Sequence, residues 1–117
     1  MDSSELARGI ALFNQGKFFD AHEVLEDVWR SAPAEQKKFF QGLVQVAVAF
    51  HHHSTGNQVG MRSVLARAIR NLRESQQHKG GIELEALLDA CGGCLESLDS
   101  GLSVLSLPRI GMVRKNP

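Results

Sequence analysis

Phe39-Phe40-Gln41-Gly42-Leu43-Val44-Gln45-Val46-Ala47-Val48-Ala49-Phe50, residues 39–50, is the stretch whose reading decides the fold. It is apolar nearly all the way round at helical spacing, which marks a helix buried on most sides. Gln41 and Gln45 interrupt it four residues apart, so they share one face, and seven residues further that face reaches His52. A buried amide without a partner costs about 1–3 kcal/mol, so something polar is expected to meet this stripe. The spacing predicts that this helix runs from about Glu35 to Thr55 and is closed by Gly56.

Four more helices can be read around this centre. The first starts near Ser3, carries Leu6, Ile10 and Phe13 on one stripe, and ends at Asn14-Gln15-Gly16. The second runs from about Phe18 to Ser31, stopping before Pro33. The fourth opens at Asn57, a good N-cap, and sets Met61, Val64, Leu65, Ala68 and Leu72 against a face of Arg62, Arg70 and Arg73. Gly80-Gly81 breaks the chain, and a fifth helix follows with Leu84, Leu87, Leu88, Cys91, Leu95 and Leu98 in phase. No segment alternates as a strand would. The prediction is an all-α fold, a compact orthogonal or antiparallel bundle of about five helices. Its opening pair, Gly9 to Trp29, resembles one helix–turn–helix repeat, but no second copy follows at a period of about 34 residues. Residues 1–101 are expected to form a single helical domain and residues 102–117 an extended C-terminal tail. The apolar tail residues Leu102, Val104, Leu105 and Leu107 need covering, which makes a homodimer one expected arrangement.

Composition narrows the function classes. The chain has 117 residues, 43% hydrophobic and 22% charged, ordinary for a globular domain. No apolar run reaches the roughly 18 residues of a membrane span. The start, Met1-Asp2-Ser3-Ser4-Glu5, lacks the basic and apolar regions of a secretory signal, so a cytoplasmic location without a membrane partner is expected. Net charge is zero but segregated: −4 over residues 1–35, +6 over 36–82, −5 over 83–101 and +3 beyond. Acidic and basic helices facing one another explain this more simply than nucleic-acid binding, which a clearly basic domain would signal. The arginine face of the fourth helix also lacks interleaved aromatics. Cys91-Gly92-Gly93-Cys94 is half a zinc site at most, with no βαβ pattern to suit redox work, and Cys91 reads as a small core residue.

The second helix supplies the polar partner for the third. Phe18, His22, Leu25 and Trp29 recur at i, i+4, i+7 and i+11, placing His22 within an apolar stripe, with Glu26 one turn on. His22 and Glu26 have the spacing that lets two side chains hold one metal ion, and Glu23 occupies the general-base position of His-Glu-x-x-His peptidases. Glu26 replaces the second histidine, so that motif is not met. With His52 as third ligand, the mixed donor set would suit zinc, manganese or iron. His51, His52 and His53 point about 100° apart, so at most two share a site. The plainer readings are that Asp20-x-x-Glu23 is a capping box, and that His22 and Glu26 pair with each other or with Gln41 or Gln45.

Phe13-Asn14-x-Gly16-x-Phe18-Phe19-x-Ala21-His22-Glu23-x-Leu25-Glu26-x-x-Trp29, then Phe40-Gln41-Gly42-Leu43-Val44-Gln45-x-Ala47-x-Ala49-x-His51-His52 and Gly56-Asn57-x-x-Gly60, resembles the domain-of-unknown-function 309 family over about residues 6–72. The resemblance implies a small all-helical prokaryotic domain, uncharacterised and sometimes described as a predicted metal-dependent hydrolase. Its motif positions map onto Asn14, His22, Glu23, Glu26, Trp29, Gln41, Gln45, His52 and Asn57.

Three expectations follow, of which the last in rank is anion or nucleic-acid binding by Arg62, Arg67, Arg70 and Arg73. In the first, a site between the second and third helices binds a divalent metal or small ligand and serves hydrolysis. His22, Glu26 and His52 are then the ligands and Glu23 the base, while Asn14, Trp29, Gln41, Gln45 and Asn57 contact substrate or support the site. In the second, the hairpin is a protein-interaction module and the polar cluster only fixes helix register.

Overall fold

The computed structural model describes residues 3–75, 81–103 and 107–113. Within them lie α1 (Ser3–Asn14), α2 (Phe18–Ser31), α3 (Lys37–Ser54), α4 (Gln58–Arg73) and α5 (Leu84–Asp99). The fold is all-α: among the described residues the only extended pairing is an isolated antiparallel bridge between Ile82 and Met112. None of the described helices is long and apolar enough to cross a membrane.

The helix boundaries follow from local chemistry. Gly16 and Gly56 take φ of 81° and 80°, left-handed values that end α1 and α3 where a Cβ would be strained. Ala32 precedes Pro33 and is accordingly extended, at ψ 148°, which stops α2. The Asn57 side chain accepts from the Gly60 amide at 2.9 Å, capping α4 as its sequence predicts. Two details differ from expectation. The third helix is preceded by a separate 3-10 turn over Ala34–Gln36. No capping box forms on α2: the helix already starts at Phe18, its N-cap is Lys17, and no side chain caps it.

The helices pack in chain order, α1 on α2, α2 on α3, α3 on α4 and α4 on α5. α3 is therefore the shared centre, and Phe39, Phe40, Leu43, Val46, Ala47, Ala49 and Phe50 are all at most 1% exposed. Phe13, Phe18 and Phe50 meet with ring centroids 5.1–6.0 Å apart and join α1, α2 and α3. α4 comes so close at Gly42 that a Cβ there would lie 2.7 Å from the Leu72 side chain. At the other end of α2, Lys37 donates to the carbonyls of Trp29 (2.7 Å) and Arg30 (3.0 Å) and sits 5.2 Å from the Trp29 ring centroid. The ammonium thus meets two carbonyls of the last turn, of which Trp29 also accepts from the Ala32 amide at 3.2 Å.

The described part of the C-terminal arm is bound to the bundle. Glu83 donates its amide to the Gly111 carbonyl and Val113 to the Gly81 carbonyl, both at 2.8 Å. Ile110, 1% exposed, is gripped from the end of α1: Asn14 Nδ2 donates to its carbonyl at 3.0 Å, and Asn14 Oδ1 accepts from its amide at 2.9 Å. Of the apolar tail residues, Leu102 and Leu107 are exposed, while Val104 and Leu105 lie outside the described residues.

Candidate functional site

α2 turns Phe18, Ala21, Val24, Leu25 and Val28 into the core. His22 and Trp29, expected inside that stripe, stand instead at its half-buried edge. From the edge, His22 Nε2 lies 3.3 Å from Glu26 Oε2, the contact that their one-turn spacing predicts. Glu26 also pairs through its other oxygen with Arg30, which in turn reaches Asp27 at 3.0 Å. The carboxylate therefore sits between an imidazole and a guanidinium, both on its own helix.

The residue that faces this pair across the helix boundary is His51. Phe19, 51% exposed, packs its ring 5.8 Å from the His22 ring and 5.5 Å from the His51 ring, bridging α2 and α3. With Val48, one turn before His51, these side chains line a shallow, mainly apolar notch of about 170 Å³. A carboxylate against Nε2 of His22 favours the tautomer protonated there and leaves Nδ1 as an acceptor. The notch thus offers an aromatic wall, an aliphatic floor and two imidazoles.

His52 is placed elsewhere. Its Nδ1 contacts the Asn57 amide nitrogen at 3.3 Å, at the start of α4. Gln45 also looks toward α4, accepting from Asn71 Nδ2 at 2.7 Å, and Gln41 is exposed. The polar stripe of α3 is therefore met by α4 and solvent rather than by α2, while Val48 lies on the side of α3 that meets Phe19 and His22. Glu23 is exposed on α2, Asn14 is committed to Ile110, and Trp29 to Lys37. Of the expected constellation, the structure unites His22 with Glu26, and His52 with Asn57, as two separate pairs.

A metal would need more than this. Among the described residues no three His, Cys, Asp or Glu side chains are gathered so as to hold an ion. His22 and Glu26 are two donors, and Glu26 is already neutralised by Arg30, so the donor set does not fit a protein-held metal. The notch residues also include no serine, cysteine or threonine to act as a nucleophile.

Phe19 and His51 are the site residues that the reading of the sequence missed. The signal was present: Val44, Val48 and His51 recur at i, i+4 and i+7, and Phe19 precedes His22 by one turn.

The family model described as "Domain of unknown function (DUF309)" matches residues 6–64, from α1 to the middle of α4, and so includes the whole notch. An uncharacterized protein of Bacillus subtilis, YpuF, is 30% identical over 88 residues, covering 71% of this chain and 49% of that protein. An uncharacterized protein of Aquifex aeolicus is 34% identical over 73 residues, covering 62% of this chain and 22% of that protein. The chain thus spans half or less of the length of these curated relatives.

Proposed function

This chain belongs to the DUF309 family, and from that premise we propose that it is a ligand-binding helical domain whose recognition site is the notch between α2 and α3. The observation that supports this reading is Phe19: a phenylalanine half in solvent, packed at a tilt between two histidines beside an open hollow. A hollow of about 170 Å³ suits one small flat or branched apolar group, and the imidazoles supply hydrogen bonds to orient it. Glu26 and Arg30 hold the His22 ring in place. The ligand class is therefore a small aromatic or branched aliphatic group bearing one polar atom, free or as part of a larger molecule.

The test is to follow the His22 and His51 ring resonances by NMR while titrating a panel of small heteroaromatic and branched aliphatic acids and amides, with zinc, manganese and iron(II) as separate arms. Saturable shifts at both rings, lost in His51→Ala and kept in His52→Ala, are the expected result. Shifts that instead need His52, or a metal that binds with His22 and Glu26 as ligands, would return the coordination site to first place. No saturable shift from any probe would remove the small-ligand reading.

A further inference from the structure

We propose that the outer trough between α4 and α5 is a docking site for an acidic amphipathic helix. α4 spends its apolar face on the core, with Met61, Leu65, Ala68, Ile69 and Leu72 buried. Its other side, together with α5, walls a hollow of about 530 Å³ that runs from Val59 past Arg62, Ala66 and Arg67 to Arg70, with Leu98 opposite. A second hollow of about 450 Å³ continues it, sharing Ala66 and Arg70 and adding Ile69, Arg73 and Leu95. From Val59 to Arg73 the trough follows about 21 Å of helix, the length of a four-turn partner.

Its chemistry has two parts. The apolar part is aliphatic: Ala66, Ile69, Leu95 and Leu98 line it, and Val59, 84% exposed, adds an open apolar surface at one end. The rim is cationic and under-neutralised. Arg62 is held by Asp99, whose carboxylate raises the pKa of the guanidinium further. Glu74, the one carboxylate among the lining residues, pairs with Lys38 at 2.6 Å, and after Lys38 the nearby Arg70 also lowers its pKa. Among the described residues Arg67, Arg70 and Arg73 form no ion pair.

These two parts select the occupant. Single-stranded nucleic acid would want aromatic platforms, and the trough has none. A duplex backbone would want cations without an aliphatic floor. A helix with apolar residues at i, i+3 or i+4 and i+7 and carboxylates along both flanks matches floor and rim together. The trough lies mostly beyond residue 64, outside the span matched to the family, and away from the α2–α3 notch, so it stands independently of the reading given for the notch.

The test uses a fluorescein-labelled 16-residue peptide of leucine and glutamate with its leucines on one helical face. Its controls are a peptide of the same composition with the leucines scattered round the helix, and a 20-nucleotide single-stranded DNA. Fluorescence anisotropy should show saturable binding of the first peptide that weakens as salt rises. Binding should fall at least tenfold in Arg67→Glu/Arg70→Glu and in Val59→Asp, all exposed positions, with helical circular dichroism preserved, and it should be unchanged in Phe19→Ser. Equal binding of the scattered peptide, tighter binding of the DNA, no binding up to millimolar peptide, or indifference to the arginine substitutions would each overturn the proposal.

Discussion

Single side chains decide several properties of this domain. Asn14 makes two hydrogen bonds to the backbone of Ile110, its amide nitrogen donating and its amide oxygen accepting. Asn14→Ala strands that carbonyl and amide where they are partly buried. A loss of about 1–3 kcal/mol is expected in chemical denaturation, with faster hydrogen exchange at Ile110 as the local signature. Cys91 carries a different dependence. Burial, with Cys94 beside it, pushes its thiol from 9.0 up to about 12. Well below pH 9 the thiol is neutral in both folded and unfolded chains, so it adds no pH dependence there. Above pH 9 the unfolded chain ionises first and stability falls, by at most about 1.4 kcal/mol per pH unit, until the folded thiol also ionises near 12. Cys91→Ala should flatten that alkaline slope in urea titrations, and in the parent protein thiol reagents at pH 8 should leave Cys91 unmodified while the fold persists.

At the scale of elements, the approach of α4 to α3 is set by a missing side chain. Gly42 brings no Cβ to a contact where one would meet Leu72 at 2.7 Å. Alanine would favour the helix by about 1 kcal/mol, but forcing it into that contact is expected to cost about 1–3 kcal/mol. Gly42→Ala should therefore be net destabilising, and Gly42→Val more so; an increase in melting temperature for Gly42→Ala would show that the two helices separate easily. Most of this layer of the architecture was readable from residue order. Apolar periods of 3.6, Asn57, Gly16, Gly56 and Pro33 mark helices and stops by local physics. The site was half readable. His22 and Glu26 pair because one turn separates them, but three consecutive histidines carry no phase of their own, and only the packing direction of α3 chooses His51 over His52. The glutamines misled for a related reason: α3 is contacted from two sides, and Gln45 serves the α4 side through Asn71.

At the scale of the whole molecule, charge and shape line up. α2 exposes Asp20, Glu23 and Asp27 on one flank of α3, and α4 exposes Arg67, Arg70 and Arg73 on the other. The zero net charge of the sequence thus conceals faces of opposite sign, and interactions of either face with charged partners should weaken with ionic strength. Contacts such as Asn14 with Ile110 could not be read from the sequence at all, since a polar helix end and an apolar arm 96 positions apart share no local pattern. That same separation gives the clamp a meaning in time. During synthesis at about 5–20 residues per second, Ile110 is made about 5–20 s after Asn14. The first hairpin must wait through that interval with its polar end turned to water, and its final partner arrives only when nearly all of this sequence has been translated. The asparagine acts as a late latch, closing on a chain that has already been read through α5.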